Sequence, residues 1–289
     1  MATLPFVDTH VHFYDFSRDD LRWAWLEPDF IHPVLGNIDG IKARRFVADE
    51  FIAETRFANV SKMVHVQAAL GSENPVNETA WLQEMADKTG FPHGIVAECH
   101  LANDDYAEVL ERHSQFANMR VVRDFGPGDY LIDPTWQRGY RELAKYGWVC
   151  CLDSDPDHYA QAAELARAVP GATMCIDHAG FPRKRDEEYF THWKTELAKV
   201  AACENAVIKI SGLGMGDPNW TVESWRPWVS SCIELFGMER SFFGTNWPVD
   251  RLFSSYTDVI DAYAQLISEY SPDEQTALFS GNAERIFKI

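Results

Sequence analysis

Eight short runs of β-branched and apolar residues recur along the chain, at 4–9, 62–68, 93–99, 119–123, 148–152, 173–177, 206–211 and 241–245. Helix-length amphipathic segments separate most of them, at 75–88, 104–116, 134–146, 157–168, 187–203 and 221–236, with a last one at 256–270. In 104–116, for example, Tyr106, Val109, Leu110 and His113 fall at helical spacing. Asp104, Asp133 and Asp155 stand where helix N-caps are wanted. Strands that alternate with crossover helices form a parallel sheet. Eight such units predict a closed α/β architecture, a single (β/α)8 TIM barrel over residues 1–289. A doubly wound open sheet is the alternative, but it usually carries a Gly-rich phosphate loop after its first strand. Here that position reads Thr9-His10-Val11-His12-Phe13.

The barrel reading gives meaning to the polar residues, because barrel active sites are built at strand C-termini. Those ends carry His10 and His12 (strand 1), Gln67 (2), Glu98 (3), Arg123 (4), Asp153 (5), His178 (6), Lys209 and Ser211 (7), and Asn246 and Asp250 (8). Side chains at i and i+2 of an extended chain share a face, so His10 and His12 can address one point. Neutral imidazole is a common metal ligand. The alternative for the pair is a set of hydrogen-bonded barrel-end histidines. Arg123 suits a carboxylate or lactone oxygen through its planar fork, or else forms an inward salt bridge with Asp124 or Glu98. Lys209 is read as a second anion anchor or a core ion pair, and Gln67 as a substrate contact or a core hydrogen bond.

About forty residues separate strand 1 from its helix, a long first βα-loop with Trp23, Trp25 and Phe30. Such loops lie over the catalytic face, so these aromatics are expected to wall the substrate or to pack the loop down.

The net charge of −18 argues against nucleic-acid or anionic-membrane partners, which need basic patches. No apolar stretch approaches the ~20 residues of a membrane span, and the N-terminus lacks the pattern of a signal peptide. The six cysteines form no C-x-x-C pair and read as buried free thiols, which fits a cytoplasmic location. A small-molecule substrate is expected, and a homo-oligomer is compatible with the chain.

In Asp8-Thr9-His10-Val11-His12-Phe13, Arg120-Val121-Val122-Arg123, Asp177-His178-Ala179-Gly180, Lys209-Ile210-Ser211-Gly212, Phe243-Gly244-Thr245-Asn246-Trp247-Pro248-Val249 and the Ser280–Phe287 tail, the chain resembles the amidohydrolase superfamily. The resemblance is to its amidohydrolase-related branch, which holds sugar-acid and pyrone-dicarboxylate lactonases and some decarboxylases. It implies a hydrolase that opens a small lactone or related ester. It also implies one divalent cation, Zn2+ being the expected ion, on His10, His12 and His178. Relatives that work without metal leave a metal-free route open, with His178 polarising the carbonyl.

Three departures from the family pattern matter. Arg123 stands where many relatives place a bridging carboxylate or modified lysine. Leu152-Asp153 replaces the strand-5 histidine of dinuclear members, so two metals are not expected. Asn246 replaces the strand-8 aspartate that serves as general base, and an amide cannot take a proton from water. Asp250 is therefore expected as the substitute base, with Asp153 or a metal hydroxide as the alternatives. Asp250 must reach back past Trp247-Pro248, or else it pairs with Arg251 or caps the next segment. The catalytic set is then His178, Asn246 and Asp250, with Arg123, Gln67, Lys209 and Trp25 on the substrate. A metal-dependent decarboxylase of an unsaturated carboxylic acid and a barrel that only binds ligand are the alternatives.

Overall fold

The computed structural model describes residues 4–124, 126, 129–153 and 155–289. Eight strands form one parallel sheet in sequence order: β1 (Phe6–Val11), β2 (Val60–Val66), β3 (Gly94–Glu98), β4 (Met119–Arg123), β5 (Val149–Leu152), β6 (Thr173–Ile176), β7 (Ala206–Ile210) and β8 (Ser241–Phe243). Each is followed by a helix: α1 (Ala48–Thr55), α2 (Val76–Thr89), α3 (Tyr106–His113), α4 (Pro134–Tyr146), α5 (Tyr159–Ala168), α6 (Glu187–Ala201), α7 (Val222–Phe236) and α8 (Tyr256–Leu266). This is the predicted (β/α)8 barrel.

The ring closes just beyond β8. His12 N donates to the Trp247 carbonyl (2.8 Å) and Trp247 N donates to the His10 carbonyl (3.1 Å). Asp8 fastens the same seam: its carboxylate accepts from Thr245 N (2.9 Å), Thr245 Oγ1 (2.6 Å) and the Tyr256 hydroxyl (2.8 Å). The two histidines are thereby held beside Asn246.

Strand alternation sorts the interior. Val7, Val64, Val66, Val96, Val121, Val149 and Val207 form an inner cluster with Cys151, Cys175 and Phe242, closed by Phe287 of the C-terminal helix Asn282–Phe287. Two residues above Val121, Cys175 and Val207 on the same faces lie Arg123, Asp177 and Lys209, which bring charge into the barrel above this cluster. A larger apolar cluster lies between the sheet and the helices.

Local signals explain most boundaries. Asp133 caps α4 by accepting from Thr135 N (2.8 Å), and the helix ends at Gly147 with φ 62°. Two expected caps differ. Asp105, not Asp104, precedes α3, and Asp155 caps a short turn (Pro156–His158) ahead of α5. Helix α1 follows the long loop, buries Ala48, Phe51 and Thr55, and lies outside the segments that patterning marks. All six cysteines are buried and free. No helix among the described residues is long and apolar enough to cross a membrane.

Candidate active site

A cavity of about 430 Å³ opens at the C-terminal ends of the strands. Its floor presents His12, Gln67, Arg123, Asp153, His178 and Asn246, and residues of the long loop cover it. Most strand-end side chains singled out by spacing thus meet in one place; Glu98 does not line the cavity and lies 3.5 Å from His100 Nε2, and the other exceptions are given below.

The His10 ring lies at the centre of the cluster, 4.9 Å from that of His12 and 4.4 Å from that of His178. Both nitrogens of fully buried His10 lack a hydrogen-bond partner. His12 Nδ1 lies 2.9 Å from the Val66 carbonyl, which can only accept. In the neutral ring, Nδ1 therefore carries the proton and Nε2 keeps its lone pair. His178 Nδ1 shares a hydrogen bond with Ser211 Oγ (3.1 Å). Burial pushes all three imidazoles below their usual range, so they are neutral near pH 7. This donor set fits a divalent cation: neutral rings, one with two orphaned buried nitrogens. The ligand nitrogens of the three do not all lie within 4.8 Å of one another.

The set that does satisfy that distance, among the described residues, is Cys151, Cys175 and Asp177. Its cation position is already taken. Lys209 Nζ lies 3.0 Å from Asp177 Oδ1 and 3.5 Å from Cys151 Sγ, and is fully buried. Arg123 completes a buried triad, with Nη1 3.3 Å from Asp177 Oδ2 and Nε donating to Gln67 Oε1 (2.6 Å). Although burial raises a carboxyl pKa, Lys209 and Arg123 hold that of Asp177 down at about 2. Lys209, expected on substrate, is thus the core ion pair and does not reach the cavity wall. The reason is its inward β7 position, two residues above Val207 and below the cavity floor. Arg123 pairs with Asp177 rather than with Asp124 or Glu98, and still lines the cavity. Arg120 is turned away, donating to the Lys288 carbonyl (3.2 Å).

At β8, Asn246 Nδ2 donates to Asp250 Oδ1 (2.9 Å). The turn folds Asp250 back onto Asn246, and Arg251 pairs with Glu54 instead of with Asp250. Asp250 is fully buried and sits behind Asn246, outside the cavity wall. Burial raises its carboxyl to about 7. Asp153 faces the cavity directly, and its buried Oδ1 has no hydrogen-bond partner.

Backbone strain concentrates at these ends. His178, Ala179, Phe181 and Asn246 adopt φ of 54°, 54°, 49° and 61°. A left-handed conformation costs a side-chain-bearing residue roughly 1–2 kcal/mol, and such outliers gather at functional sites. Gly212 makes room, because a Cβ there would fall 2.6 Å from His178 Nδ1.

Over the floor, Trp25 packs edge-on to His12 (5.8 Å) and donates from Nε1 to the Ala68 carbonyl (2.8 Å). Phe30 also lines the cavity. Trp23 does not: it is buried beneath, donating to the Phe13 carbonyl (3.1 Å). Sequence reading did not single out His32, Phe181 and Arg183, which also line the cavity. They sit on loops, where periodicity carries no signal. Glu78 was likewise unforeseen. Its Oε1 accepts from Ala68 N and Ala69 N (both 2.9 Å), fixing the loop that holds Trp25.

The Amidohydro_2 amidohydrolase family model matches residues 7–289. The chain is 33% identical to the uncharacterized protein y4mH of Sinorhizobium fredii, over all of both chains. It is 25% identical to the L-fucono-1,5-lactonase of Burkholderia ambifaria, covering 98% of this chain and 95% of that one. Among solved structures, an amidohydrolase from Burkholderia multivorans crystallised with bound zinc superposes with a TM-score of 0.84 at 23% identity, covering 99% of each chain.

Proposed function

The chain belongs to the amidohydrolase family, and on that premise we propose that it is a hydrolase that opens a small lactone ring. The observation that carries this reading is the cavity floor, where neutral imidazoles, an arginine and an unpartnered carboxylate oxygen face one space. The lactonase named among its relatives supports the same chemistry.

One divalent cation, Zn2+, is assigned to His10, His12 and His178; when bound it supplies a Lewis acid and an acidified water. The zinc in the Burkholderia multivorans structure supports this choice. The chain's own groups do the rest. Arg123 and Gln67, locked to each other and to Asp177, hold the lactone and its carboxylate or hydroxyl oxygens. His178, with Nδ1 fixed by Ser211, has Nε2 left to hold the cation or, without it, to polarise the carbonyl. Asn246 gives its amide hydrogen to Asp250, which turns its carbonyl oxygen toward the cavity as an acceptor. Asp153 takes the proton of the attacking water, since a general base must reach it within hydrogen-bond distance and Asp250 lies behind Asn246. Asp250 acts as a positioning residue through Asn246. The six buried thiols suit a cytoplasmic enzyme.

Acid release from a panel of lactones, with carbon dioxide release from aromatic and unsaturated acids measured in parallel, tests the reading. Lactone opening without decarboxylation is expected. Decarboxylation alone, or ligand binding with no turnover, overturns it.

A further inference from the structure

The two sides of the cavity differ in chemistry. The floor is polar, whereas the covering loop presents Trp25, Phe30, Val34, Leu35, Ile38 and Ile41. The polar atoms of that loop are largely spent within the protein. Trp25 Nε1 is given to the Ala68 carbonyl, and His32 Nδ1 accepts from Val34 N and Leu35 N (both 3.1 Å). What the loop offers a ligand is therefore hydrocarbon and one imidazole edge.

A hydroxyl turned toward such a wall loses its water and finds no partner, whereas an alkyl group there is removed from water at a gain. A pocket that reads several hydroxyls must hydrogen-bond each of them, and this wall offers only the His32 ring edge to do so. The volume, about 430 Å³, lies in the ~300–1,000 Å³ range of pockets that hold drug-sized ligands, so a ring and a substituent both fit.

We infer that the substrate is an amphipathic lactone, with its carbonyl on the strand-end floor and a hydrocarbon substituent against the 25–41 loop, rather than a polyhydroxylated sugar lactone. This rests on the lactonase reading above and narrows its substrate class.

The test uses γ-lactones carrying methyl, ethyl, propyl or butyl on the carbon beside the ring oxygen, together with a polyhydroxylated sugar lactone of the same ring size. The inference expects kcat/KM to rise about fourfold per methylene, the value of burying one such group, and the sugar lactone to fall below the butyl compound. A flat or falling series, or a sugar lactone that outperforms the butyl compound, overturns the inference and leaves the lactonase reading intact. If neither kind opens, the lactonase reading itself fails and this inference with it. The double variant Phe30→Ser/Val34→Ser, on partly exposed residues of the loop, should flatten the series. An unchanged slope would show that the substituent does not lie against that loop.

Discussion

Asn246 donates its side-chain amide to Asp250 across 2.9 Å, and Asp250 lies on the far side of Asn246 from the cavity. The pair stands where the family resemblance places one aspartate, and the proposed mechanism divides holding and proton transfer between residues. If Asp153 is the proton acceptor, Asp153→Asn should lower kcat by ~10²–10⁴, the usual cost of losing a general base. Asp250→Ala should cost less and act mainly on KM, because Asn246 would lose the acceptor that fixes its orientation. Steady-state kinetics of the two variants decide the matter. The reverse ranking would make Asp250 the base.

Metal dependence follows from the orphaned His10 nitrogens and the neutral state of the three imidazoles. Metal analysis should find at most one tightly bound divalent ion per chain. Chelation should lower lactone opening by at least about tenfold, comparable to the loss from disturbing a metal site's supporting residues, with recovery on adding Zn2+. Two ions per chain would contradict the assignment. Full activity after complete removal would transfer the carbonyl-polarising role to His178 and Arg123.

Asp177 balances two buried cations, Lys209 and Arg123. Asp177→Asn deprives both buried cations of their shared carboxylate and should cost about 3–5 kcal/mol in urea unfolding. Adding Lys209→Met removes one stranded charge and should restore part of that loss. Because the Asp177 carboxyl is lowered to about 2, its stabilisation is present above the usual aspartate range and is lost as pH falls through that value. A double variant no more stable than the single one would contradict the pairing.

Glu78 works in the opposite direction. Burial raises its carboxyl to about 8 from an ordinary 4.5, so between these values the folded chain binds its proton more tightly than the unfolded chain. Stability should therefore fall as pH rises through that window. Glu78→Gln keeps an acceptor for Ala68 N and Ala69 N and removes the titration. Tm measured from pH 6 to 9 should decline less in the variant than in the parent. Parallel curves would refute the assignment.

Much of this was legible in the chain because the barrel writes a period into the sequence. Strand β4 and helix α4 occupy the residues that patterning assigned to them. The other strands differ by one or two residues at one or both ends; β1, for example, runs on through His10 to Val11 and β2 begins already at Val60. The strand-end residues were legible for the same reason: position at the end of an inward-facing run places a side chain at the mouth. Depth was not. Lys209 and Arg123 both end inward runs, yet only Arg123 reaches the cavity, because Asp177 captures the Lys209 ammonium below it. Loop contributors such as His32 and Arg183 carry no period at all. The separation of Trp25 from Trp23 depends on which carbonyl each indole finds, Ala68 or Phe13. The expected cap at Asp104 falls one residue short, because Asp105 precedes α3, whereas Asp155 does cap the turn that leads into α5.

The central claim is that water attacks a lactone carbonyl on this floor. Turnover of the best alkyl lactone in H2(18)O, read by mass spectrometry, tests it directly. The account predicts one 18O per product, located in the carboxylate, with the ring oxygen retained as the new hydroxyl, and slower formation of the same singly labelled product in Asp153→Asn. Label in the hydroxyl, or no ring opening with any lactone, would contradict it.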